Sequence, residues 1–360
     1  MPRLAAQLIL AFMSALFKAT EIRGAILAGC FGFIFVSALF AQTLAVGPYK
    51  PEVQVSGVIR VWGSTEMSGV LAKWEQGFRL YQPKISFDDH LYGTASSIAG
   101  LYTGVGDISL LGRDIWPIES SAFQSVFHYS STGIQVATGS YDIPKAAYAL
   151  VVYVNKANPL SRITLEQLAG IFGVPNSDDA RSTRSWGDLG LSGSWSSSPI
   201  HLYNFDYDND KSMFFRRMVF AGRYHWRDRT KEFMNRVNAD GSITDSGQLI
   251  LDALANDRLG IAISNPHYAN SKVKPVALAA HGTNYVAADK DSVAGRTYPL
   301  IRPVWIHINR PPQGRVDPKI AEFLLYVLSF EGQNMIMQDG TYLPLPARIV
   351  KEQIASLVRP

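Results

Sequence analysis

A chain of 360 residues, 47% hydrophobic and 18% charged, is not intrinsically disordered and is long enough for two domains with cores of their own. The net charge of +4 includes no basic block, which excludes the usual footprint of a nucleic-acid partner. The one cysteine, Cys30, leaves no internal disulfide to expect.

The first 45 residues differ in kind from the rest. Residues 4–17 are apolar, residues 18–23 make a short charged break, and residues 24–47 carry no charge. A positive segment before an apolar run ending in small residues is the pattern of a secretory signal, with cleavage after Ala41 or Ala45. The alternative is an uncleaved membrane anchor over residues 24–41, just long enough to span. Cys30 follows Leu27-Ala28-Gly29 in the manner of a lipoprotein box, but residues 31–40 continue apolar where a lipidated cysteine would be followed by a polar tether. A processed chain would therefore hold no cysteine, so thiolate metal sites are not expected.

Residues 58–74 read as a buried strand, a tight turn at Gly63-Ser64-Thr65 and a helix that buries Val70, Leu71 and Trp74. A helix N-terminus leaves backbone N–H groups unpaired and carries partial positive charge, so an oxyanion can settle there beside Ser and Thr hydroxyls. The device recurs: residues 85–91 form a strand, and Gly93-Thr94-Ala95-Ser96-Ser97 opens a helix running to Tyr102. A third strand, residues 107–111, ends in Gly112-Arg113-Asp114. Strand ends carrying small, hydroxyl-bearing or charged residues are where open α/β sheets place ligands.

Further on, residues 147–154 are wholly apolar and read as a buried strand of the parallel type. Thr164 with Gln167 makes a capping box for the next helix. Residues 176–198 read as loop, anchored by Trp186 and Trp195. Strands are expected at residues 200–205, 259–264 and 274–278, and helices at 211–220 and 246–256. Residues 298–309 form a long returning strand that Pro303 makes irregular or puts on a sheet edge. Asp317 and Pro318 start an amphipathic helix that buries Ile320, Phe323, Leu324, Val327 and Leu328.

Catalytic and metal motifs are lacking. The seven histidines make no i, i+4 pair, no Gly-x-Ser-x-Gly elbow or P-loop occurs, and no nucleophile has an identifiable base. Asp206, Asp208 and Asp210 alternate like the start of a calcium loop, yet Lys211 replaces the required glycine. No enzyme, cofactor or metal is expected.

The order Gly63-Ser64-Thr65, Gly93-Thr94-Ala95-Ser96-Ser97 and Asp107-Ile108 running to Gly112-Arg113 resembles the phosphate-binding proteins of bacterial phosphate ABC importers. Asn155 with Asn158-Pro159-Leu160, Tyr298-Pro299-Leu300 with Arg302, Glu331-Gly332-Gln333 and Gly340-Thr341-Tyr342-Leu343-Pro344 extend the likeness over roughly residues 58–347. The resemblance implies a two-lobed periplasmic-binding-protein fold of type II, α/β in class. Each lobe would be a mixed sheet flanked by helices, with the ligand in a cleft between lobes. Lobe one would be residues 52–145 plus 298–360, and lobe two residues 146–297.

On that resemblance, Gly63, Ser64, Thr65, Thr94, Ser96, Ser97 and Arg113 would hold an inorganic phosphate or similar tetrahedral oxyanion from lobe one. From lobe two, Asn204 stands where the family carries an arginine, and Asp208-Asn209-Asp210-Lys211 stands where it carries Ser-Gly-Thr. Lys211 and Ser212 would compensate. Asp208 and Asp210 are open to a second reading as helix caps. The implied partners are the membrane subunits of an ABC importer, the implied location is the periplasm or cell envelope, and a monomer is expected. The alternative is an envelope sensor or interaction protein that keeps the fold without high-affinity phosphate transport.

Overall fold

The computed structural model describes residues 46–177 and 182–358, so the expected signal or anchor over residues 1–45 lies outside the described residues. Two five-stranded sheets organise the chain. Their strands are β1 (Gly57–Gly63), β2 (Ile85–His90), β3 (Ile108–Leu110), β4 (Thr132–Ala137), β5 (Val151–Asn155), β6 (His201–Phe205), β7 (Lys231–Phe233), β8 (Gly260–Ser264), β9 (Val273–Pro275) and β10 (Val304–Ile308). The α-helices among the described residues are α1 (Ser68–Arg79), α2 (Thr94–Tyr102), α3 (Pro117–Phe127), α4 (Leu165–Phe172), α5 (Asp210–Phe215), α6 (Ser246–Ala255), α7 (Lys290–Ala294), α8 (Pro318–Val327), α9 (Phe330–Asp339) and α10 (Ala347–Val358).

The two sheets repeat one plan. The first runs β2-β1-β3-β10-β4 and the second β7-β6-β8-β5-β9. In each, three parallel strands are followed by one that runs antiparallel to both its neighbours. That reversed strand is the one arriving from the other half of the chain: β10 in the first sheet, β5 in the second. The parallel character expected for residues 147–154 is therefore corrected. An apolar run reports burial on both faces, which any central strand has, and says nothing of direction. Of the two readings of residues 298–309, the edge is overturned, because β10 lies inside its sheet, and the irregularity stands: the register shifts between Val304 and Trp305, and Pro303 falls just before the strand, where no ladder N–H is demanded.

Each sheet has its own core. Ile59, Val61, Ile108, Leu110 and Ile306 pack under Trp74 and Phe78 of α1 and Phe323 and Leu324 of α8. The five apolar positions expected to be buried from Asp317 onward are all buried, with Asp317 as N-cap and Pro318 at the first helical position. The second core joins Val152, Val154, Ile261 and Ile263 to Leu168 and Phe172 of α4 and Leu251 and Leu254 of α6. Thr164 and Gln167 form the expected capping box at the start of α4. Residues 211–220 split into α5 and a π-helical turn, Arg216–Phe220.

Two chain segments connect the sheets and pair with each other. Leu150 N donates to Leu300 O at 2.9 Å, Arg302 N donates to Tyr148 O at 2.8 Å, and Ala149 bridges Ile301. Tyr148 packs into the first core, and Ala147, Ala149, Leu150, Leu300 and Ile301 pack into the second. Such a two-stranded link is the geometry of a hinge between lobes.

Candidate functional site

The C-terminal ends of β1 and β3 and the start of α2 meet at one side of the first sheet. Gly63 packs so closely on Leu110 that no Cβ fits, and its carbonyl accepts from Gly93 N at 3.0 Å, which ties the first turn to the second. Ser64 is buried, its N–H is spent on Leu110 O at 3.0 Å, and its hydroxyl accepts from Glu66 N at 3.3 Å while keeping its own proton to donate. Gly93 precedes α2 at φ 111° and offers no side-chain cap, so the helix opens with Thr94 and Ala95 facing a cavity.

After β3 the chain turns at Gly112, φ 72°, into Arg113. The Arg113 guanidinium is largely spoken for: it donates to both oxygens of Glu119 at 2.9 and 2.7 Å and to Asp114 O at 2.8 Å, and it lies 4.2 Å from the Trp116 ring centroid. Glu119 also accepts from Trp116 N at 2.8 Å, fixing the entry to α3.

From the second sheet, the loop after β6 leads into α5. Asn209, rather than Asp208 or Asp210, caps this helix by accepting from Lys211 N at 3.0 Å. Asp210 is thereby free to pair with Arg302 of the connecting segment, and with Lys211 Nζ at 3.2 Å. Burial opposes ionisation of Asp210, but Arg302 and Lys211 more than offset it and hold the carboxyl well below the usual range. Arg302 is only 3% exposed and its Nε has no partner; burial works against its charge, and Asp210 outweighs burial.

These parts enclose a cavity of about 640 Å³ lined by Ser64, Thr94, Arg113, Lys145, Lys211 and Arg302, among others. Glu66, Glu119, Asp208 and Asp210 line it too, so four cations face four carboxylates. Of the residues expected at the site, Ser64, Thr94, Arg113 and Lys211 are brought together here. Gly63 supports the turn from beneath. Thr65 is exposed and Ser96 bonds back to Gly93 O at 2.8 Å, neither lining the cavity. Ser97 faces the sheet, 2.5 Å from the Ser109 hydroxyl and 3.3 Å from Trp62 O. In the second lobe, Ser212 donates to Phe205 O at 2.9 Å and Asn204 is buried with its carbonyl oxygen on Phe205 N at 2.8 Å. Glu119 and Lys145 escaped sequence reading. The Trp116-Pro117 start of α3, with an acid at its third position, was the available signal for Glu119.

Residues 50–331 match the family model described as a PBP superfamily domain. The chain belongs to that superfamily. Among relatives of this PBP superfamily member, the "Phosphate-binding protein PstS" of Pseudomonas aeruginosa strain PAO1 is 27% identical over 320 residues, covering 87% of this chain and 92% of the relative. "Protein SphX" of Synechococcus elongatus is 27% identical over 213 residues, 58% of this chain and 56% of that protein. A crystal structure of PstS from Borrelia burgdorferi covers 81% of this chain and 99% of that one at 17% identity and a TM-score of 0.51, a likeness of fold. The resemblance drawn from the residues is borne out by these relatives, and so is the two-lobed α/β class. No helix among the described residues is long and apolar enough to cross a membrane, and no group of three or more His, Cys, Asp or Glu among them could hold a metal ion.

Proposed function

We propose that this chain is the substrate-binding protein of an ABC importer, capturing phosphate or a related tetrahedral oxyanion between its lobes and performing no chemistry on it. The observation that carries this reading is the cavity that unites the uncapped start of α2 and the Ser64 hydroxyl with Lys211 and the buried Arg302. The relative named a phosphate-binding protein, matched over 92% of its length, supports the oxyanion and favours a receptor over an envelope sensor. On this reading lobe one is residues 52–145 with 298–360 and lobe two is residues 146–297. The chain acts outside the cytoplasm as a monomer, after export by its first 45 residues, and delivers its ligand to importer membrane subunits. Calorimetric titration with phosphate, sulfate, arsenate and molybdate tests it: micromolar or tighter binding of at least one is expected, and no heat with any of the four overturns it.

A further inference from the structure

Beyond Arg113 and Trp116 the cleft continues into a second chamber of about 650 Å³, which shares Arg113, Trp116, Asp208, Asp210 and Arg302 with the first. Its character is different. Trp116, Tyr207, Tyr224 and Trp226 all line it. Arg216 places its guanidinium 3.6 Å from the Tyr207 ring centroid and donates to Tyr207 O at 3.0 Å, so the loop bearing that ring is held in place although the ring itself is 46% exposed.

This space is not a gap left by lobes standing apart. Arg217 on the lobe-two side already pairs with Asp114 at 2.9 Å, and Arg302 pairs with Asp210 at the junction of the chambers. An orthophosphate ion fills a small part of the first chamber alone, whereas pockets of roughly 300–1,000 Å³ suit organic ligands oriented by a few polar groups. Ser64, Thr94 and Lys211 line the first chamber only, and Tyr207, Tyr224 and Trp226 line the second only, together with Asp114, Arg216, Arg217 and His225. Between them stands Arg302, whose buried Nε lacks a partner.

Resting on the oxyanion reading above, we propose that the ligand is a phosphate monoester with a planar aromatic group: the phosphoryl sits at the start of α2 and the ring lies against Trp116 and Tyr207. Aromatic contact and ring burial then add affinity that a bare oxyanion cannot gain.

Calorimetry of the purified chain with orthophosphate, methyl phosphate and phenyl phosphate tests this. Phenyl phosphate binds about tenfold tighter than the other two. Tyr207→Ala removes that advantage and leaves orthophosphate affinity unchanged. Phenyl phosphate no tighter than methyl phosphate, or an equal loss for all three in Tyr207→Ala, overturns the ester proposal while leaving the oxyanion reading intact. Absence of heat with all three overturns the ester proposal, and the oxyanion reading falls with it only where sulfate, arsenate and molybdate give no heat either.

Discussion

The two halves of the cleft meet a ligand with opposite economies of charge. Beside the Arg113–Glu119 pair, the lobe-one half presents a helix start without a cap, a buried serine with a spare proton and a threonine hydroxyl, neutral donors set by the backbone. The lobe-two half presents full charges that are already paired, Asp210 with Lys211 and with Arg302 of the connecting segment. Neutral, preorganised donors lose little on meeting an anion, whereas paired charges must be prised apart or shared. On the proposed reading, specificity comes from the first half, and the second holds the lobes in register through the connecting segments.

The largest effect should come from breaking that register. Arg302→Met leaves Asp210, whose side chain is a quarter exposed, with Lys211 alone, and should cost about 3 kcal/mol in denaturant unfolding. Pairing it with Asp210→Leu should recover much of the loss, since the stranded carboxylate is gone and only the partly exposed Lys211 loses its partner. A loss below about 1 kcal/mol for the single variant would show that the pair contributes little.

A second large effect lies behind the lobe-one half. Burial first, and the Arg113 charge second, push the His307 imidazole down to about 4. Its folded value is below its unfolded one, so the folded protein binds fewer protons between them. The stability contributed by neutral His307 is fully present above about pH 6.5 and is lost as pH falls through 4. Over that window the native state should lose on the order of 3 kcal/mol, and His307→Gln should flatten this part of the acid limb. Parallel acid limbs for the two proteins would contradict the assignment.

The comparison sharpens at Glu119, which makes Arg113 behave like the paired charges of lobe two. Glu119→Gln should release the guanidinium and tighten anion binding by roughly tenfold, the worth of one charge-assisted hydrogen bond. Unchanged affinity would mean that Arg113 serves only to hold Trp116 and the start of α3.

How much of this was legible follows the range of each signal. Local devices read well: the Gly63 turn, the Thr164 capping box and the Asp317-Pro318 start each depend on residues within one helical turn. The pairing of Asp210 with Arg302 joins residues 92 positions apart and leaves no local trace, so Asp210 read as a helix cap or as part of a calcium-like alternation. Asn209 took the capping role because it alone stands one residue before the helix. Strand direction was likewise out of reach, because β5 and β10 run backwards for a topological reason that apolar composition does not encode.

The hydroxyls near α2 give the smallest effect and the cleanest contrast. Thr94 stands at the first position of the helix and lines the cavity, while Ser97, nearly one turn later, faces the sheet and bonds to Ser109. Composition cannot separate them, because both are small hydroxyls in one five-residue loop. Thr94→Val should weaken anion binding by a few-fold, about 0.5–1.5 kcal/mol, with little change in unfolding. Ser97→Ala should do the reverse, lowering stability by about 1 kcal/mol and leaving the titration curve unchanged. Should Ser97→Ala weaken binding as much as Thr94→Val, the donor surface of lobe one would have to extend into the sheet, and its neutrality would no longer rest on the helix start alone.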